Sequence, residues 1–125
     1  MVLNLNKLLR SMIKIFYLHW NEAEAKERVA ALKRAGYEVV SHWRTETRVQ
    51  FGDTLPDAVV ISLDRLPSHG RAVAEWFVEA KKRQHIPLIF AGGQPDKAQA
   101  TKAKFPQATF CATEKVLDTL QKTLP

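Results

Sequence analysis

The sequence predicts an α/β domain of three layers: a five-stranded parallel sheet of order 2-1-3-4-5, with helices on both faces. Three observations predict it. Short apolar runs alternate along the chain with segments of helical period, and each parallel crossover needs a helix. The 125 residues suit one domain. Finally, neither GxGxxG nor a Walker-type loop is present, and Gly92–Gly93 alone marks a turn rather than a phosphate cradle.

The elements follow in order. Ile13–Leu18 (IKIFYL) is an apolar strand bounded by polar residues. Asn21 suits a helix N-cap, with Glu24 three residues on as in a capping box. Ala25, Val29 and Leu32 then make one apolar stripe, and Gly36 closes the helix. Tyr37–Val40 is the second strand. Ser41–Pro56 has no clear period, and a short helix around Thr45–Phe51 is expected there. Asp57–Ser62 is the third strand, opening into a polar loop that runs to Gly70. A helix over Arg71–Arg83 follows, burying Val73, Phe77 and Ala80, with Trp76 near its apolar side. Pro87–Ala91 is the fourth strand, Pro95–Lys104 a very polar helix, and Ala108–Ala112 the fifth strand. Thr113 is expected to cap a last helix that turns Val116, Leu117, Leu120 and Leu124 inward.

Residues 1–11 stand apart. Val2, Leu5, Leu8, Leu9 and Met12 recur at helical spacing, which suits an amphipathic helix that docks on a partner. The favoured reading is an extension ahead of a single domain over residues 12–125. Lys7 and Arg10 interrupt any apolar core, so no signal peptide is expected.

Bulk properties narrow the function. No apolar run approaches the roughly 18 residues of a membrane helix. The single cysteine, Cys111, rules out an internal disulfide and a cysteine-based zinc site, and it reads as a buried strand residue in a reducing, cytoplasmic setting. The net charge of +6 admits nucleic acid, and Trp20, Trp43, Trp76, His42, Arg44 and Arg48 offer stacking and phosphate contacts. The basic residues are scattered among thirteen acids without a helix-turn-helix or an RNA-binding signature, so nucleic acid is disfavoured. Trp20 and Trp43 fit better as exposed interface anchors.

ERVAALKRAGYEVV after the first helix, PDAVVISL with Pro67 and Gly70, IPLIF and the closing strand–helix together resemble the receiver domain of bacterial response regulators, from Met12 to the C-terminus. The resemblance implies a flavodoxin-like fold and an aspartyl-phosphate switch. Such a switch needs a magnesium-binding acidic pair after the first strand, an acceptor Asp ending the third, a Ser/Thr ending the fourth and a Lys ending the fifth. Here those positions fall on His19–Trp20, Ser62, Gly92 and Thr113, or Ala112 if the count slips by one. All the chemical positions are replaced. A shifted register offers Asp64 as acceptor, with Asn21, Glu22 and Lys115 as further repairs, and needing all of them together argues against phosphorylation.

Two other chemistries compete for this loop. His19, His42, Asp64 and His69 share the carboxyl edge and are suitable zinc or nickel ligands, but none of their spacings is a metal motif. A Ser62–His–Asp64 triad lacks the GxSxG elbow. The expectation is therefore a pseudo-receiver without catalytic residue, metal or cofactor, acting through a protein partner or a second copy of the chain. By resemblance its contact face is Asp96–Lys104 with Phe110–Lys122, including Lys97, Lys104, Phe110 and Lys115.

Overall fold

The computed structural model describes residues 10–43, 54–64 and 67–124, with side chains from residue 71 onward in the last stretch. Five strands, β1 (Lys14–Leu18), β2 (Glu38–His42), β3 (Ala58–Ser62), β4 (Leu88–Ala91) and β5 (Thr109–Cys111), form one parallel sheet of order β2-β1-β3-β4-β5. Register places Ile15 opposite both Val39 and Ala58, and Ser62 opposite Ala91. The predicted architecture and strand order are those observed.

Alternation within each strand separates two cores. Ile15, Tyr17, Ala58, Val60, Ile89 and Ala91 point to one face. There they meet Val29 and Leu32 of helix α1 (Glu22–Arg34), with Val116 and Leu120 of helix α4 (Val116–Thr123). Phe16, Leu18, Val59, Ile61 and Phe90 point to the other. They meet Ala74 and Phe77 of helix α2 (Pro67–Val78), and Ala98 packs there from helix α3 (Pro95–Lys104). Strands buried on both sides read as continuous apolar runs, which is why IFYL, AVVI and LIFA show no polar alternation.

Several local readings change. Helix α2 begins at Pro67, four residues before the expected start, because proline is preorganised for a first helical turn. It ends at Val78, and Ala80 sits half-buried in the turns that follow. Trp76 is 36% exposed rather than packed, with the Arg83 guanidinium 3.5 Å above its ring. Conversely, Trp20 is half-buried against the second core and meets His42 edge-on at 5.7 Å, so it is no fully exposed anchor. Trp43 is also half-buried, and so is Cys111, which expectation had placed in the core. Asp57 lies just outside β3, where its carboxylate accepts the Lys14 amide at 2.8 Å.

At the start of the last helix Thr113 opens a 3-10 turn, Thr113–Lys115, and its hydroxyl makes no capping bond. It is used elsewhere. Residues 1–9 and the expected short helix around Thr45–Phe51 lie outside the described residues.

Candidate functional site at the carboxyl edge

The strands of a doubly wound sheet end together, so their following loops meet at one edge. Here the side chain at the centre of that edge is Asp64. Ser62 is fully buried at the end of β3, and its Oγ accepts the Asp64 amide at 3.2 Å. That bond turns the chain so that the carboxylate two residues on reaches over the strand ends. Asp64 Oδ1 accepts the Gly93 amide at 2.6 Å. Its Oδ2 accepts the Thr113 hydroxyl at 3.2 Å and the Arg28 guanidinium at 3.3 Å.

The glycine pair makes this possible. Gly92 and Gly93 take φ +72° and +88°, a left-handed backbone that disfavours side chains. A Cβ on Gly92 would also fall within 2.7 Å of both Asp64 Oδ2 and Thr113 Oγ1. The carboxylate therefore occupies the space a side chain at position 92 would need.

Arg28 joins this centre to the first loop. Its side chain is 25% exposed and lies between two carboxylates, Asp64 at 3.3 Å and Glu24 at 3.9 Å. His19 is 0% exposed; its Nε2 meets Glu24 Oε1 at 2.7 Å and its Nδ1 faces Arg28 at 3.4 Å. A guanidinium only donates, so Nδ1 accepts and Nε2–H donates to Glu24, which describes a neutral imidazole. Arg28 also acts on the Tyr17 hydroxyl, lowering its pKa against the larger effect of burial.

The electrostatics agree with this geometry. Burial depresses the His19 pKa below its ordinary value, with Arg28 adding to the effect, and the Glu24 bond opposes them only in part. Burial alone would raise Asp64, but donation from Gly93, Arg28 and Thr113 outweighs it and holds the carboxyl below the usual range. Burial raises Tyr17, which stays a neutral phenol.

The predicted site residues thus divide. Asp64, Gly92 and Thr113 come together, and His19 reaches them through Arg28. Ser62 faces inward and Trp20 turns to His42. Lys115 is exposed on the 3-10 turn beyond Thr113. Of the expected contact face, Lys97 is exposed, Lys104 pairs with Glu75, and Phe110 is half-buried in a stack on Phe90 at 5.1 Å. No three His, Cys, Asp or Glu among the described residues are grouped to hold a metal. The side chain of His69 lies outside them.

Four participants were not singled out as site residues from the sequence: Arg28, Glu24, Gly93 and Tyr17. A signal for two of them was present. Glu24 and Arg28 are four apart and border the Ala25–Val29–Leu32 stripe, so they rim the buried face of α1.

Comparison with solved structures gives the same architecture. The bacteriophytochrome response regulator AtBRR matches with a TM-score of 0.68 at 14% identity, covering 88% of each chain. The chemotaxis response regulator CheY4 of Vibrio cholerae matches at 0.64 and 18%, covering 90% of this chain and 98% of its own. The phosphorylated cyanobacterial phytochrome response regulator RcpA matches at 0.63 and 18%, covering 88% and 86%. No protein-family model and no curated protein matches the chain by sequence. The class is a doubly wound flavodoxin-like sandwich. Within it, the fold is that of the response-regulator receiver domain.

A magnesium ion, which that fold implies, does not suit these residues. The loop after β1 offers a buried neutral imidazole and an indole where hard oxygens are needed, and an arginine already lies against the Asp64 carboxylate.

Proposed function

We propose that this chain is a receiver-like signalling module that works by contact with a protein partner, without aspartyl phosphorylation and without catalysis. One observation carries the reading: both oxygens of Asp64 are already bonded by Gly93, Thr113 and Arg28. An acceptor must present a free oxygen beside a cation that also binds the incoming phosphoryl group, and here the adjacent cation is a side chain.

The module comprises residues 12–125 and works in the cytoplasm; among the described residues no helix is long and apolar enough to cross a membrane. Its partner surface is the face of α3, β5 and α4. Lys97 stands exposed there, with Lys104 and Lys115 nearby, and either another protein or a second copy would be met through it. Nucleic acid is a poorer fit, because among the described residues α1 intersperses Glu22, Glu24 and Glu27 with its bases.

A second reading has one observation in its favour. Asp64 does reach the carboxyl edge beside Thr113, as a shifted acceptor would. One experiment separates the two. Thermal unfolding with magnesium and beryllofluoride, paired with acetyl-phosphate labelling, is expected to show no shift and no hydroxylamine-sensitive acyl phosphate. A clear stabilisation together with label lost in Asp64→Asn would establish the shifted receiver instead.

A further inference from the structure

We infer that Arg28 is a tethered cation standing where this fold would hold a divalent ion, and that Glu24 and Asp64 are a two-carboxylate cation site which Arg28 keeps filled. This deepens the phosphorylation-independent reading and rests on it. The guanidinium lies between the two carboxylates, 3.3 Å from Asp64 and 3.9 Å from Glu24. It also meets the His19 ring at 3.4 Å. Two carboxylates, one guanidinium and a neutral imidazole sum to a single negative charge, little reason for a further cation to enter. A hydrated divalent ion would also have to shed water to displace a cation that is covalently attached.

The arrangement has a mechanical consequence. Asp64 binds the β4 loop through Gly93 and the β5 loop through Thr113, while Arg28 binds Asp64 to α1. Four segments at the sheet edge are therefore held to one another by the chain's own charges. The edge needs no ion and no phosphoryl group to hold this arrangement, so the module presents one surface regardless of metal supply.

Removing the tether should expose the cation site. Arg28→Ala leaves Glu24 and Asp64 without their shared counter-charge and vacates the space the guanidinium held. Mn2+ is the probe, read by paramagnetic broadening of backbone amide signals in the full chain. The parent protein should show no broadening centred on residues 63–64, 92–93 and 113. Arg28→Ala should bind Mn2+ about tenfold or more tightly at that place, the least expected when a unit positive charge a few ångströms away is removed. Adding Asp64→Asn should abolish the gain, and Arg28→Lys, which keeps the charge, should not show it.

If Arg28→Ala fails to fold, Arg28→Gln keeps part of the stem and a polar head while removing the charge, and the same gain is expected. Site-centred broadening in the parent would overturn the inference. So would a folded Arg28→Ala or Arg28→Gln without the gain, or a gain that survives Asp64→Asn. Those outcomes are separate from the labelling test above. A parent chain phosphorylated on Asp64 refutes the phosphorylation-independent reading, whereas a neutralised Arg28 variant that gains no Mn2+ refutes only the tether.

Discussion

The carboxyl edge around Asp64 and helix α3 lie side by side and are held in opposite ways. At the edge, partly buried charges and a buried neutral imidazole satisfy one another: Asp64, Arg28, Glu24 and His19 form one continuous chain of contacts. Helix α3 has eight of its ten residues exposed, and only Thr101 is buried. Among the described residues, its ties to the body include Ala98 against the second core, a long contact from Arg71 to Thr101, and an exposed pair between Lys104 and Glu75. Low-stability elements are those with little buried apolar contact, so motion on this side of the sheet belongs to α3 rather than to the charged edge. The edge is tied by charged contacts, and the neighbouring helix is loosely held.

The sharpest way to break that contrast is to remove Asp64. Asp64→Ala deletes three bonds to a charged acceptor and strands a guanidinium that is three-quarters covered. Bonds to charged groups contribute about 1.5–3 kcal/mol each, and this carboxylate is 31% exposed, so solvent recovers part of the loss. A net destabilisation of about 2–3 kcal/mol in urea unfolding is expected. A loss under about 0.5 kcal/mol, the range of ordinary surface substitutions, would mean that the edge is no better knit than α3.

The difference between the two regions was only partly legible in the sequence. The sheet order and the four helices could be read because apolar runs, Asn21 and Gly36 act locally, within one element. The exposed character of α3 was legible for the same reason, since PDKAQATKAK has almost no apolar face. The Asp64 cluster was not, because a single bond in it spans 49 positions, and no local period reports which loops will meet. Counting from Asp57 led to Ser62, a residue that the strand buries. The carboxylate that reaches the edge arrives two places later because Gly92 left it room. Arg28 and Glu24 were hidden in a helix whose Glu22, Lys26, Glu27 and Lys33 do face water.

A smaller effect tests the edge through pH. The folded protein depresses the His19 pKa from 6.5, so the unfolded chain binds the proton more readily. The stabilisation is therefore fully present above about pH 6.5 and is lost as pH falls through the lower, folded value. Glu24, Arg28 and Asp64 face the ring, and protonation would set a second positive charge against Arg28. Asp64, also depressed, adds a second loss in the same direction at pH values below its ordinary 3.8. Midpoints of urea unfolding should fall between pH 7 and pH 5 for the parent protein, and less steeply for His19→Gln. Equal slopes in the two proteins would show that the imidazole is not the titrating group.

The smallest effect belongs to α3, and its smallness is the prediction. Lys104 and Glu75 are 54% and 45% exposed at their side chains, so water and salt screen the pair. Exposed pairs of this kind contribute about 0–1 kcal/mol, and holding two long side chains in one geometry offsets much of that. Lys104→Ala should therefore change global stability by less than about 0.5 kcal/mol. Local opening should respond more, because this pair is one of the few ties between α3 and α2. Amide exchange over residues 97–104 is expected to quicken in the variant while exchange at Gly93 and Asp64 stays as in the parent. Quickening at both places would mean that the helix and the edge open together, and the distinction between a fixed edge and a free helix would fall.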